Sequence, residues 1–193
     1  ILVGLLLAMM LLLGIFVPAK FYSLYNMGSM AFQLPELGLV VFGMLIVVIT
    51  GGIDLSITYG LALSGIVAGL ILQAGEEAGM NTTGLIILAV LALMGTAVLC
   101  GAINGFFVAV LKVHPWLTTL GTMSLYQGIS IILTNGGSIS GFPAELYDTI
   151  GDGSLVGIPV PMLMLILVAV IFGILLHKTV WGRRLVMVGS NEK

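Results

Sequence analysis

Long apolar runs follow one another along this chain, separated by short polar connections. The longer runs hold about 20 residues, the number an α-helix needs to cross the roughly 30 Å hydrocarbon layer of a bilayer. Six spans are predicted, over residues 1–17 (ending at Pro18), 31–49, 55–72, 85–111, 116–133 and 159–176, of which the fifth is the most polar. The second and third runs together make roughly 40 residues, or about 60 Å of helix, twice the hydrocarbon thickness. One crossing does not accommodate them; a hairpin, or a full span followed by a re-entrant half-helix, does. The expected fold class is all-α: a polytopic transmembrane helical bundle of about six spans, forming one domain over residues 1–193.

Composition supports that class. The chain is 60% hydrophobic with 7% charged residues, at a mean hydropathy of +1.26. A soluble core has no room for so much apolar surface. The net charge of −2 says little, because placement of charge outweighs its sum. No basic stripe points to nucleic acid. The single cysteine, Cys100, lies inside an apolar run and rules out a disulfide framework or a thiol metal site. His114 and His177 sit at span ends beside lysines, as interfacial residues do.

Lys112, Lys178, Arg183 and Arg184 follow the fourth and sixth spans and mark cytoplasmic ends, whereas the connections bearing Glu76, Glu77, Glu145, Asp148 and Asp152 hold no lysine or arginine and face out. Counting back places the junction at residues 51–54 and the N-terminus inside, with Lys20 as the one exception. Trp116, Trp181, Tyr22, Tyr25 and Tyr147 take aromatic-belt positions. The chain starts at Ile1 within an apolar run and ends just after a basic turn, so a piece of a longer membrane protein is expected.

Candidate chemistry begins at Thr50-Gly51-Gly52-Ile53-Asp54-Leu55-Ser56, whose aspartate is an expensive group between two apolar runs. In one reading Gly51 and Gly52 end a helix and Asp54 N-caps the next, with Ser56 in its first turn. In the other, the break lines a pathway or transmits motion, as discontinuous helices do in transporters. Glu36 after Pro35 suits a first helical turn, and with Gln33 it could instead form a polar outer mouth. Thr119, Thr122, Tyr126 and Ser130 fall on one helical stripe with Gln127 beside them. That stripe offers hydroxyl and amide groups to a polyhydroxylated solute, or hydrogen bonds to neighbouring helices. Asn104 lies between Gly101 and Gly105, and Gly65 and Gly69 repeat the spacing. Close helix packing, with Asn104 as polar glue, is the simplest reading, and a solute contact the other. Residues 134–140 loosely echo the heptapeptide.

No Gly-Lys pair exists, so no P-loop binds ATP, and neither a zincin motif nor a Ser-His-Asp set is present. Carboxylates in the spans are too few for a proton relay. An enzyme is not expected, and no cofactor or metal is called for.

Gly51-Gly52-Ile53-Asp54-Leu55-Ser56 resembles the signature of bacterial ABC-transporter permeases for monosaccharides of the ribose/galactose/xylose type. Asn104-Gly105, Thr119 to Met123, Ser140 to Pro143, Trp181 to Arg184 and Gly189 to Glu192 follow in the family's order over most of the chain. The resemblance implies a multi-pass permease subunit in the bacterial inner membrane, moving a monosaccharide or similar polyol by alternating access. It implies a cytoplasmic ATP-binding subunit, a periplasmic or extracellular solute-binding protein and a second permease subunit as partners. It also implies more spans and a coupling loop beyond residue 193. Thr119, Thr122, Tyr126, Gln127 and Asn104 are then the pathway candidates. Asp54 and Ser56 belong to the helix break, and Arg183, Arg184, Asn191 and Glu192 approach the ATPase. Ile57-Thr58 and Tyr59 stand where many relatives continue differently, which leaves the solute open. A permease of the same superfamily for a nucleoside, a furanone signal or a branched-chain amino acid, or a secondary transporter or channel, are the alternatives.

Overall fold

In the computed structural model, which describes residues 1–155 and 157–190, each of the six runs forms a helix. These are α1 (Leu2–Phe16), α3 (Leu24–Ile49), α4 (Ile57–Glu77), α5 (Thr82–Gly105), α6 (Pro115–Thr134) and α8 (Val160–Lys178). Short helices α2 (Pro18–Phe21) and α7 (Ala144–Leu146) lie in connections, and α9 (Val180–Ser190) follows α8. A π-helical stretch, Phe106–Val110, prolongs α5, and two-residue strands Ser154–Leu155 and Ile158–Pro159 pair antiparallel in the long loop before α8. Among the described residues four helices are long and apolar enough to cross a membrane: α3, α4, α5 with its π-helical extension, and α8. The first predicted span is a helix of 15 residues, and the polar fifth is not among the four.

The second helix starts earlier than its apolar run. Ser23 caps it, its Oγ accepting the Asn26 N–H at 3.1 Å, so α3 begins at Leu24 and carries Pro35 inside. Glu36 therefore lies about midway along α3 and not in a first turn. The proline signal misleads because a long membrane-type helix tolerates the one hydrogen bond that proline removes. With 26 and 21 residues, α3 and α4 are each long enough for a full crossing. They do not form a close hairpin: α3 packs on α8, and α4 packs on α5 and α6.

Two clusters hold the α4–α5–α6 group. At one end Leu85 and Ala89 of α5 meet Ala68 and Leu72 of α4. There Gly75 allows close packing, since a Cβ would lie 2.9 Å from Leu85 Cδ2 and 3.1 Å from its Cγ and would force that side chain to shift. Midway, Leu63, Cys100 and Tyr126 pack together. The α3–α8 pair meets through Phe42 and Phe172, whose rings are 5.3 Å apart, and through Gly38 against the Leu165 side chain. Amphipathic α9 folds back from α8 after Thr179 and reaches the end of α3, where a Cβ on Gly189 would lie 2.9 Å from the Ile49 carbonyl carbon.

The small-residue spacings do not all mark close packing. A Cβ placed on Gly65, Gly101 or Gly105 would meet nothing within 4 Å; only Gly69 is crowded, by Phe142 and Ile139 of the loop after α6.

Candidate functional site

Three helix ends and one loop converge where α3 stops. Gly51, at φ +82°, turns the chain out of α3; its N–H reaches the Val48 carbonyl at 3.0 Å and the Gly52 N–H reaches Val47 at 2.9 Å. This paired closure is a Schellman motif, and it needs a left-handed residue that glycine supplies without strain. Asp54 is not the cap residue of α4. Ser56 holds that position, and Asp54 stands two residues before it, with Oδ1 accepting from the Ser56 N–H at 2.8 Å and the Ser56 hydroxyl at 2.7 Å. The acid thus braces the loop entering α4, near a helix N-terminus whose dipole favours negative charge.

From Ser56 the network crosses the bundle. The Asn104 amide donates to Ser56 Oγ at 2.7 Å and contacts Asp54 Oδ2 at 3.5 Å. Its carbonyl oxygen accepts from the Thr122 hydroxyl at 2.7 Å. Thr119 donates to the Ile53 carbonyl at 3.3 Å, and the Tyr126 hydroxyl to the Cys100 carbonyl at 2.9 Å. The loop, α5 and α6 are so joined by one side-chain pair 48 residues apart in sequence and by a side chain bonded to a backbone carbonyl 66 residues away. Ser56, Asn104, Thr119, Thr122 and Tyr126 are all buried.

Two adjoining cavities, of about 210 and 320 Å³, open beside this network and share Val47, Asp54, Gly101 and Asn104 in their walls. The first is also lined by Cys100, and the second by Thr119. Among the described residues, no lysine, arginine or histidine lines either. A third cavity of about 430 Å³ lies between the middle of α4, at Ala62, Gly65 and Ile66, and the far end of α6, where Ser130, Thr134 and the glycine-rich turn that echoes the heptapeptide line it. Since α4 and α6 run the same way from the junction, the packed layer of Leu63, Cys100 and Tyr126 stands between the two ends.

The remaining candidates lie apart. Gln127 is half-buried on α6. Gln33 and Glu36 are exposed along α3, with Gln33 donating to Ser29 at 2.9 Å. Arg183 and Arg184 are exposed on α9. Asn191 and Glu192 lie outside the described residues. Sequence reasoning missed Cys100 as a wall of the site and the open faces of Gly101 and Gly105. The one signal was their adjacency to Asn104.

A family model described as "Branched-chain amino acid transport system / permease component" matches residues 26–193. The chain belongs to this permease family. The ribose import permease protein RbsC of Bacillus subtilis is 37% identical over 176 residues, covering 90% of this chain and 52% of that protein. The L-arabinose transport system permease protein AraH of Escherichia coli is 32% identical over 180 residues, covering 93% and 52%. The autoinducer 2 import system permease protein LsrD of Yersinia enterocolitica is 31% identical over 163 residues, covering 81% and 46%. The chain spans about half the length of the curated relatives it matches. No solved structure matches it. Membership in this family, with apolar helices of crossing length, makes the chain a multi-pass protein of the bacterial cell membrane.

Proposed function

We propose that the chain serves as the transmembrane permease subunit of an ATP-driven ABC importer for a monosaccharide or similar small polyhydroxylated solute. The family match carries this reading, together with relatives named for ribose and L-arabinose import. The site suits it: hydroxyl, amide and backbone groups, with no cationic side chain among the described wall residues, offer hydrogen bonds to a neutral solute.

In this reading the junction end is cytoplasmic, by the placement of Lys112, Lys178, Arg183 and Arg184, and the 430 Å³ cavity faces out. The Leu63–Cys100–Tyr126 layer closes the path between them, and alternating access exchanges which side is open. Asn104, Thr119, Thr122 and Tyr126 then bond to one another's elements in the closed arrangement and turn to the solute as helices shift, with Gln127 beside them. Gln33, in the outer half of α3, supplies a polar group toward the outer mouth, whereas Glu36 lies about midway along the helix. Arg183, Arg184, Asn191 and Glu192 approach a separate ATPase, and a solute-binding protein delivers from outside to a permease dimer.

Purification of the permease expressed from its own locus tests the reading. An ATPase subunit is expected to co-purify, with hydrolysis stimulated by a solute-binding protein loaded with D-ribose or L-arabinose. Solute uptake by cells that persists when that ATPase is inactivated by mutation sinks the ABC reading in favour of a secondary transporter or channel.

A further inference from the structure

We propose that Asp54 is the solute-facing acceptor of the junction cavities: its second carboxylate oxygen takes a hydroxyl of a neutral polyol, in space that Gly101 and Gly105 hold open. This rests on the importer reading above and names the group that would recognise the solute.

The two oxygens of Asp54 are unequal. Oδ1 is engaged by both the Ser56 N–H and the Ser56 hydroxyl, at 2.8 and 2.7 Å. Oδ2 has only the Asn104 amide at 3.5 Å, while that amide is committed to Ser56 Oγ at 2.7 Å. An ionised carboxylate offers about four lone-pair sites, and its hydrogen bonds are roughly twice as strong as neutral ones. Bracing the loop therefore uses one oxygen and leaves the other short of donors. Both cavities are lined by Asp54, so the underused oxygen has room beside it.

The glycines explain the room. Gly101 and Gly105 flank Asn104 on α5, yet a Cβ on either would touch nothing within 4 Å, whereas at Gly75 a Cβ would strike Leu85. On this face the missing side chains keep a wall thin instead of admitting a neighbouring helix. The chemistry selects the ligand class. A carboxylate with no cation among the described wall residues repels carboxylates and phosphates and calls for a donor. Thr119 adds a second polar point, and Val47 offers an apolar surface to the C–H face of a sugar ring. Asparagine at position 54 keeps the acceptor that the loop uses, since its carbonyl can accept from Ser56, while removing the charge and the second acceptor oxygen that face the cavity.

The test uses the permease assembled with its ATPase and solute-binding protein in proteoliposomes. Asp54→Asn is expected to fold, with an unfolding temperature only slightly below wild type, and to lower uptake of radiolabelled D-ribose and L-arabinose by about tenfold or more, as loss of a charged hydrogen bond does. Independently of that variant, Gly101→Cys in a Cys100→Ala background puts a thiol in the cavity wall. D-ribose or L-arabinose, whichever the wild type takes up, is expected to slow its alkylation by N-ethylmaleimide. Uptake by Asp54→Asn within about twofold of wild type, or alkylation indifferent to whichever of the two sugars the wild type takes up, overturns the assignment. Wild-type protein that takes up neither sugar overturns the importer reading and this assignment with it, so the two failures are told apart.

Discussion

Asn104 is the hub of the junction, and replacing it by aspartate tests the network more sharply than truncating it. Asn104→Ala removes two hydrogen bonds of 2.7 Å, to Ser56 and Thr122. Interhelical side-chain bonds in membrane proteins average about 0.6 kcal/mol with a maximum near 1.7, so the expected loss is about 1–2 kcal/mol. Asn104→Asp keeps the shape but turns the donor that faces Ser56 Oγ and Asp54 Oδ2 into an oxygen. Two ionised carboxylates 3.5 Å apart repel by about 5 kcal/mol at an effective dielectric near 20. Water at the half-buried Asp54 screens part of this repulsion, and the net cost is still expected to exceed that of Asn104→Ala. The conservative change is thus expected to be the worse one. Adding Asp54→Asn should rescue it, because the amide placed there can still accept from Ser56 while donating to the carboxylate introduced on α5. The protein carries its own reporter: Cys100 is the only cysteine and is 7% exposed, so a thiol-reactive fluorogenic dye follows unfolding. The expected order of midpoints is wild type, Asn104→Ala, then Asn104→Asp, with the double variant above Asn104→Asp. An Asn104→Asp protein that melts with or above Asn104→Ala, or that Asp54→Asn fails to raise, refutes the reasoning.

Tyr126→Phe removes the hydroxyl bond to the Cys100 carbonyl at 2.9 Å and keeps the ring, so a loss of about 0.5–1.5 kcal/mol is expected in the same unfolding assay. Glycines should divide by their surroundings. Gly75→Ala drives a methyl into Leu85 and is expected to cost about 1–3 kcal/mol, whereas Gly101→Ala, helical and open, is neutral or stabilising by up to about 1 kcal/mol.

The helices are legible in the sequence because each apolar run is about as long as the structure it forms. The ends are less so. Pro35 reads as a helix start, but Ser23 is the cap in use, and only the geometry distinguishes a tolerated internal proline from a first-turn one. The turn at Gly51 and Gly52 is readable from residue type, since a left-handed closure favours glycine. The stripe on α6 is likewise readable from its spacing. What it faces is not: Thr122 meets Asn104 through a pairing of helices that periodicity does not encode. Gly101 and Gly105 mislead for the same reason, because identical spacing serves a tight helix contact or a cavity wall, and only the neighbour decides. Asp54 is legible as an unusual charge, but the division of labour between its oxygens depends on where Ser56 and Asn104 arrive.

The central claim is that this permease moves a neutral sugar under the power of a separate ATPase. The most direct measurement is uptake of radiolabelled D-ribose and L-arabinose into proteoliposomes holding the assembled importer, with ATP supplied to the ATPase side. Accumulation of at least one sugar is expected, requiring ATP, the solute-binding protein and an ATPase able to hydrolyse. Equal uptake without ATP, or uptake of neither sugar by the complete assembly, contradicts it.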